Sequence, residues 1–221
     1  MNDAAWHCAG ILFDLDGVLV DSRRCVEGIW RTWAAGKGLD PGPFIRIAHG
    51  RRISETIRAV APELNVAEEV AALDRMEEVD TDGLLPVPGA AALLDTIPAA
   101  RWAIVTSGSR RVATLRLGVV GLPIPQVFVT AEAVRQGKPA PDGYLAAVAQ
   151  LGLPAAACAA IEDSPPGVAA ARSAGMRVIA VLTTHHARDL VLADARLPAL
   201  DHLRATPMCE SEEILLEWRP A

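Results

Sequence analysis

The chain has 221 residues, 51% of them hydrophobic, enough apolar material for one substantial core and too much for a disordered chain. Its formal charge of −6 weighs against a partner bound along a phosphate backbone, so no nucleic acid is expected, although one small phosphate in a local pocket stays compatible. No apolar run reaches the ~18 residues of a membrane span, and the N-terminus lacks a basic start followed by an apolar stretch; no membrane contact and a cytoplasmic location are the expectation.

In chain order, AGILFD (9–14) reads as a first strand. Helical spacing of apolar residues follows in SRRCVEGIWRTWAAGKG (22–38), RRISETIRAVAPEL (51–64) and NVAEEVAALDRMEEV (65–79). Pro86 and Pro88 in LLPVPGA (84–90) mark a stiff hinge. Beyond it, apolar runs and helical patterns alternate. Strands are expected at RWAIVTS (101–107), QVFVTA (126–131), CAAIED (158–163) and RVIAVLT (177–183). Helices are expected at 89–97, 110–120, 142–152 and 165–175, with Gly152 and Gly175 as stops.

Strands without clean polar alternation, separated by helices, predict an α/β chain. The expected core is a Rossmann-like, doubly wound parallel sheet covered on both faces. The 93 residues from Asp14 to Ser107 far exceed the about 30 of a βαβ crossover. The surplus predicts an inserted helical cap at residues 19–86, leaving 1–18 and 87–221 as the core. The tail is expected to give a helix, a short strand and a loop over 185–203, then an edge strand or terminal helix at EEILLEW (212–218). The scattered Cys8, Cys25, Cys158 and Cys209, without CxxC spacing, read as reduced thiols.

Ligands of an open parallel sheet gather beyond the carboxyl ends of its strands. Asp14 and Asp16 follow the first strand. Thr106, Ser107 and Gly108 follow the second, Lys138 lies beyond the third, and Glu162 and Asp163 end the fourth. Hard carboxylate oxygens suit Mg²⁺, which also takes waters and substrate oxygens. Asp14 and Asp163, with the Asp16 backbone carbonyl, are the expected ligands. Asp14 can then attack phosphorus, Lys138 can neutralise the phosphate, and Ser107 with nearby amides can cradle its oxygens. Asp16 is the candidate acid/base. Residues at i and i+2 of a strand point to opposite faces, and Gly17 offers the bend that brings Asp16 to the same site. Asp21 is expected to cap the next helix.

DLDGVLVDS, VTSGS, GKPAPDGY and IEDSPPGVAAARSAGM resemble, in order, the four motifs of the haloacid dehalogenase-like hydrolases. The resemblance implies a Rossmann-like core, Mg²⁺ and an aspartyl-phosphate intermediate. It gives Asp14 as nucleophile, Asp16 as acid/base, Ser107 and Lys138 as phosphate contacts, and Asp163 with Glu162 at the metal. The dehalogenases of the family lack the second aspartate, so Asp16 argues for phosphate esters. AHGRRISETI (48–57) is similar to the glycerol-3-phosphate and 2-deoxyglucose-6-phosphate phosphatases. It implies substrate contacts near His49, Gly50 and Arg51, with Arg52 as an alternative to Arg51. Beta-phosphoglucomutases resemble the core too, but Val26 and Ile53 stand where they carry a His and an Arg. The expectation is a phosphatase for a small phosphorylated sugar or polyol, acting as a monomer or weak homodimer. A phosphosugar mutase and a non-catalytic phosphate-binding module are the alternatives.

Overall fold

The computed structural model describes residues 5–208 and 213–219. The chain starts with β1 (Ala5–Cys8) and β2 (Gly10–Phe13). A short β3 (Val20–Asp21) leads out to four helices, α1 (Arg23–Gly36), α2 (Gly42–Ala48), α3 (Ile53–Val60) and α4 (Val66–Glu77). The return strand β4 (Leu85–Pro86) pairs antiparallel with β3, so exit and re-entry lie side by side. Alternation then sets in: α5 (Ala90–Thr96), β5 (Trp102–Val105), α6 (Arg110–Val119), β6 (Val127–Val129), α7 (Asp142–Leu151), β7 (Cys158–Glu162), α8 (Pro165–Ser173) and β8 (Arg177–Val181). Three strands finish the described chain: β9 (Ala195–Leu197), β10 (Leu203–Pro207) and β11 (Ile214–Trp218).

Six strands form a parallel sheet in the order β6-β5-β2-β7-β8-β9, with β2 inside it. Ile11, Phe13, Ile104 and Ile161 pack with Leu93, Leu94 and Leu117 of α5 and α6. Leu12, Ala103, Val105 and Ala160 pack with Tyr144, Val148 and Val168 of α7 and α8. Every second residue thus meets one helical layer and the rest meet the other, which is why these strands show no polar face. Ser109 and Ser164 start α6 and α8 by accepting bonds from Val112 N and Gly167 N.

The segment between β3 and β4 has an aromatic centre of its own. Trp30 stacks on Phe44 at 5.5 Å and Trp33 meets Phe44 edge-on at 5.0 Å. Trp33 Nε1 donates to Glu69 Oε2 at 2.9 Å, tying α1 to α4.

Several parts differ from the sequence expectations. Helix α2, a single pair of turns flanked by Pro41, has too few residues to show a period. A second, antiparallel sheet β1-β11-β10 was not expected. Of the two forms expected for EEILLEW the strand is the one present, as β11 over Ile214–Trp218, with Glu213 just before it and Glu212 outside the described residues. The tail helix expected after His185 is a correction: only a 3₁₀ turn, Ala187–Asp189, forms there. The Arg196 guanidinium takes the Leu190 and Val191 carbonyls, which a helix would have satisfied internally. Cys8, Cys25 and Cys158 are buried free thiols, and Cys209 lies outside the described residues. Among the described residues no helix is long and apolar enough to cross a membrane.

Candidate active site

Register places the site. Phe13 is level with Ile104 of β5 and Ile161 of β7, so the residues that follow emerge at one rim. Asp14 N donates to Ile161 O at 3.0 Å, holding the Asp14 side chain at the sheet edge. Asp14, Lys138, Glu162 and Asp163 are all buried there. Lys138 Nζ lies 2.9 Å from Asp14 Oδ1 and 2.6 Å from Glu162 Oε1. Tyr144 also donates to Glu162 Oε1, at 2.7 Å, and Glu162 Oε2 accepts from Asp163 N and Ser164 Oγ. Glu162 is therefore fully engaged, chiefly in holding Lys138. Thr184 Oγ1 donates to Asp163 Oδ2, whereas Asp163 Oδ1 is buried with no partner.

Charge does not balance in this cluster. One atom each from Asp14, Glu162 and Asp163 lies within 4.8 Å of the others. Burial, above all, pushes the Asp14 carboxyl up to about 7 even against the pull of Lys138. Burial and then the Asp14 and Glu162 charges push Asp163 well above the usual carboxylate range. Burial also acts against the Lys138 charge, but Asp14 and Glu162 outweigh it and its pKa is raised. A hard oxygen donor set with one orphaned carboxylate oxygen and a deficit of positive charge fits a divalent cation.

The turn after β2 brings Asp16 to the same cavity. Leu19 N and Val20 N both bond Leu15 O, and Gly17 N bonds Val20 O at 2.7 Å. Gly17 has φ +80°, and a Cβ there would stand 2.1 Å from Asp163 Oδ2, so only glycine fits. Asp16 Oδ2 accepts from Arg116 Nη1 at 2.8 Å. Asp21 Oδ1 accepts from Arg23 N at 3.3 Å, but the cap position of α1 is Ser22, without a side-chain cap bond, so Asp21 bonds the first turn from one residue before the cap.

Above the rim lies a cavity of about 260 Å³, walled by both Asp14 and residues of the β3–β4 segment. That is compact beside the roughly 300–1,000 Å³ of common small-molecule sites. Ser107, Gly108 and Thr106 line it, with Thr106 Oγ1 accepting from Gly108 N at 3.1 Å to shape the turn. His49, Gly50 and Arg51 line the opposite side, as do Val26 and Ile53. The His49 ring sits 6.3 Å from that of His185, and burial followed by His185 lowers its pKa. Arg52 also lines the cavity but spends its guanidinium on the Val134 and Arg135 carbonyls at 3.0 and 3.2 Å, and Glu55 accepts from Gly137 N at 3.1 Å. Both grip the loop that carries Lys138.

Asp14, Asp16, Asp163, Thr106, Ser107, Gly108, His49, Gly50 and Arg51 line this one cavity, whereas Lys138 and Glu162 stand behind Asp14 and Gly17 packs against Asp163 without lining it. Sequence reasoning missed Arg116, Tyr144, Thr184 and His185. Arg116 had a signal, a lone arginine on the apolar stripe of a helix beside Val112 and Leu117. The others had none beyond their position after a strand or motif.

The family profile described as haloacid dehalogenase-like hydrolase matches residues 8–175. Hexitol phosphatase A of Escherichia coli K12 is 41% identical over 214 residues, covering 95% of this chain and 99% of that protein. Glycerol-1-phosphate phosphohydrolase 1 of Saccharomyces cerevisiae is 33% identical over 185 residues, covering 78% and 74%. A hydrolase of Pseudomonas syringae superposes with TM-score 0.76 at 27% identity, covering 85% of this chain and 91% of that one.

Proposed function

Since the chain belongs to the haloacid dehalogenase-like hydrolases and is a phosphoric monoester hydrolase, we propose that it is a Mg²⁺-dependent phosphatase for a small polyol or sugar phosphate. A hexitol phosphate is the leading substrate, supported by the likeness to the Escherichia coli hexitol phosphatase. The observation that carries the reading is the 2.9 Å contact of Lys138 Nζ with Asp14 Oδ1 beside the partnerless Asp163 oxygen.

Asp14 attacks phosphorus and becomes an aspartyl-phosphate. Two unit charges at ~4 Å repel by about 4 kcal/mol at an effective dielectric near 20, so the attack needs cations beside it. Lys138, anchored by Glu162, is one. Asp14, Asp163 and the Asp16 carbonyl would hold Mg²⁺, which supplies further positive charge against the substrate dianion. Ser107 exchanges its bond to Gly50 O for one to a phosphate oxygen, and its own backbone amide donates beside it, the Thr106 and Gly108 amides being held by Val129 O and Thr106 Oγ1. Asp16 protonates the leaving alkoxide and then takes the proton of the water that hydrolyses the intermediate.

Residues 19–86 act as a cap that shuts out bulk water and sets specificity through His49 and Arg51. Val26 and Ile53 make an apolar stretch of wall beside Asp74 and Glu132, and Arg116 on the same wall is taken up by Asp16 and Glu77. Arg52 is likewise spent on the Val134 and Arg135 carbonyls, so of the arginines in the wall Arg51 remains for substrate, which favours one phosphate over two and hydrolysis over a mutase.

The test is phosphate release from hexitol, glycerol and hexose phosphates with Mg²⁺, repeated with Asp14→Asn. Release by the parent and none by the variant is expected. Isomerised hexose phosphate without free phosphate would favour the mutase, and ligand binding without turnover a binding module.

A further inference from the structure

We propose that Arg116 is a positioning residue for Asp16 and that Glu77 completes the arrangement from the β3–β4 segment. The inference rests on the reading of Asp16 as acid/base given above. Arg116 sits on the packed face of α6 with Val112, Ala113 and Leu117, and is 4% exposed. A buried guanidinium there is costly unless paired, and an apolar side chain would fill the same stripe without needing partners. Both arms are in fact paired. Nη1 lies 2.8 Å from Asp16 Oδ2, and Nη2 lies 3.1 Å from Oε1 of Glu77, the last residue of α4.

The consequence falls on a single atom. Asp16 Oδ2 is tied, whereas Oδ1 is buried without a partner, on a residue that lines the cavity with Asp14. The fork of Arg116 thus fixes the carboxylate plane and leaves Oδ1 without a competing protein partner for the proton it must carry. A lysine could meet one carboxylate but not span both, because its charge is a point and not a planar fork. Glu77 sets the guanidinium from the other side. The acid/base is therefore held in its working rotamer when the α4 end is docked on α6, which links docking of this segment to proton transfer.

The test compares two leaving groups. An alkyl phosphate such as glycerol phosphate needs a proton on its departing oxygen, whereas p-nitrophenolate departs without one. Single-turnover rates of phosphoryl transfer are measured for both, on the parent and on Arg116→Gln, Arg116→Lys and Glu77→Ala. The alkyl-to-aryl rate ratio should fall about 100-fold in Arg116→Gln, the lower end of general acid effects. Arg116→Lys should fall between that variant and the parent, and Glu77→Ala should drop about tenfold. A structural role alone would slow both substrates equally. An unchanged ratio in the folded variants overturns the inference, and Arg116→Lys with Glu77→Ala decide it if Arg116→Gln does not fold. If the parent cleaves no phosphate monoester, the functional reading falls and this inference with it. An active parent with unchanged ratios sinks the inference alone.

Discussion

The Ser107 hydroxyl donates a 2.9 Å hydrogen bond to the carbonyl of Gly50, two residues 57 positions apart in the chain. One belongs to the turn after β5 and the other to the loop between α2 and α3, so the turn proposed to bind phosphate and the β3–β4 segment touch directly. Arg52 and Glu55 on the Lys138 loop, and Arg116 with Glu77, tie the same two parts together. The cavity is thus enclosed by contacts that a substrate must partly replace.

Gly50 itself is constrained twice. Its φ is +77°, and a Cβ would come 2.2 Å from Ser164 Oγ and 2.7 Å from Ser164 Cβ. Left-handed backbone costs an L-residue roughly 1–2 kcal/mol, and the overlap must be relieved by moving the loop. Gly50→Ala is expected to lower kcat/KM about 10- to 100-fold by holding the loop off the rim. Far-UV circular dichroism should stay unchanged, since the loop bears no strand or helix. Kinetics equal to the parent would show that the close approach is not needed for turnover.

The pH response of Asp14 has a definite sign. Its carboxyl titrates ordinarily at 3.8 and at about 7 in the fold, with burial as the main cause. Between those values the folded chain keeps a proton that the unfolded chain has released. The contribution to stability is therefore complete below the lower value and lost as pH climbs through the upper one. Without metal, denaturant midpoints of the parent and Asp14→Asn should be compared at about pH 5 and about pH 8. The parent is expected to lose ground to the variant at the higher pH, and a pH-independent difference would contradict the buried like-charge cluster.

A cation should reverse that loss. In the parent, Mg²⁺ is expected to raise Tm at neutral pH, by about 2.7 kcal/mol of stability at 100 times Kd. Asp163→Asn removes the carboxylate whose Oδ1 has no partner, and the Mg²⁺-induced rise should largely vanish with it. Chelation of the parent should abolish phosphate release, and added Mg²⁺ should restore it. Full activity after complete metal removal would refute the proposed cation.

Legibility of the chain followed locality. The run Ile11–Phe13 and its counterparts at 102–105, 158–162 and 177–181 were plain as buried strands, because both faces of the sheet are covered. The rim residues followed from strand ends, and their identities from motifs such as IEDSPPG. What failed depended on distant partners. The pairing of β1 with β11 joins residues more than 200 positions apart, His7 opposite Leu215, and no local pattern encodes it. Arg116 carries a signal that the sequence reading passed over, a lone arginine on an apolar stripe, and nothing near it in sequence names Asp16 or Glu77 as its partners. His185 was taken for a helix start, and its Nδ1 instead lies 3.1 Å from Asp163 O because Arg196, not a helix, satisfies the carbonyls that follow.

Lys138 offers the sharpest stability test. Its ammonium, 5% exposed, is shared by Asp14 and by Glu162, which is 0% exposed. Lys138→Met keeps the bulk of the stem but leaves two carboxylates buried without their cation. Breaking a buried pair this way costs about 3–5 kcal/mol, or roughly 10 °C in Tm for a chain of this size. The penalty should depend on pH in one direction. As pH falls the orphaned Asp14 carboxyl takes up a proton and sheds a charge that the fold cannot accommodate, so the deficit should be smaller at about pH 5 than at about pH 8. Adding Glu162→Gln to Lys138→Met removes one of the two charges while Tyr144 keeps an acceptor, so the double variant should be more stable than the single one. Thermal unfolding of the three proteins at both pH values decides it. A double variant no more stable than Lys138→Met would mean that Glu162 does not depend on Lys138, and its assigned part as the anchor of Lys138 would be wrong.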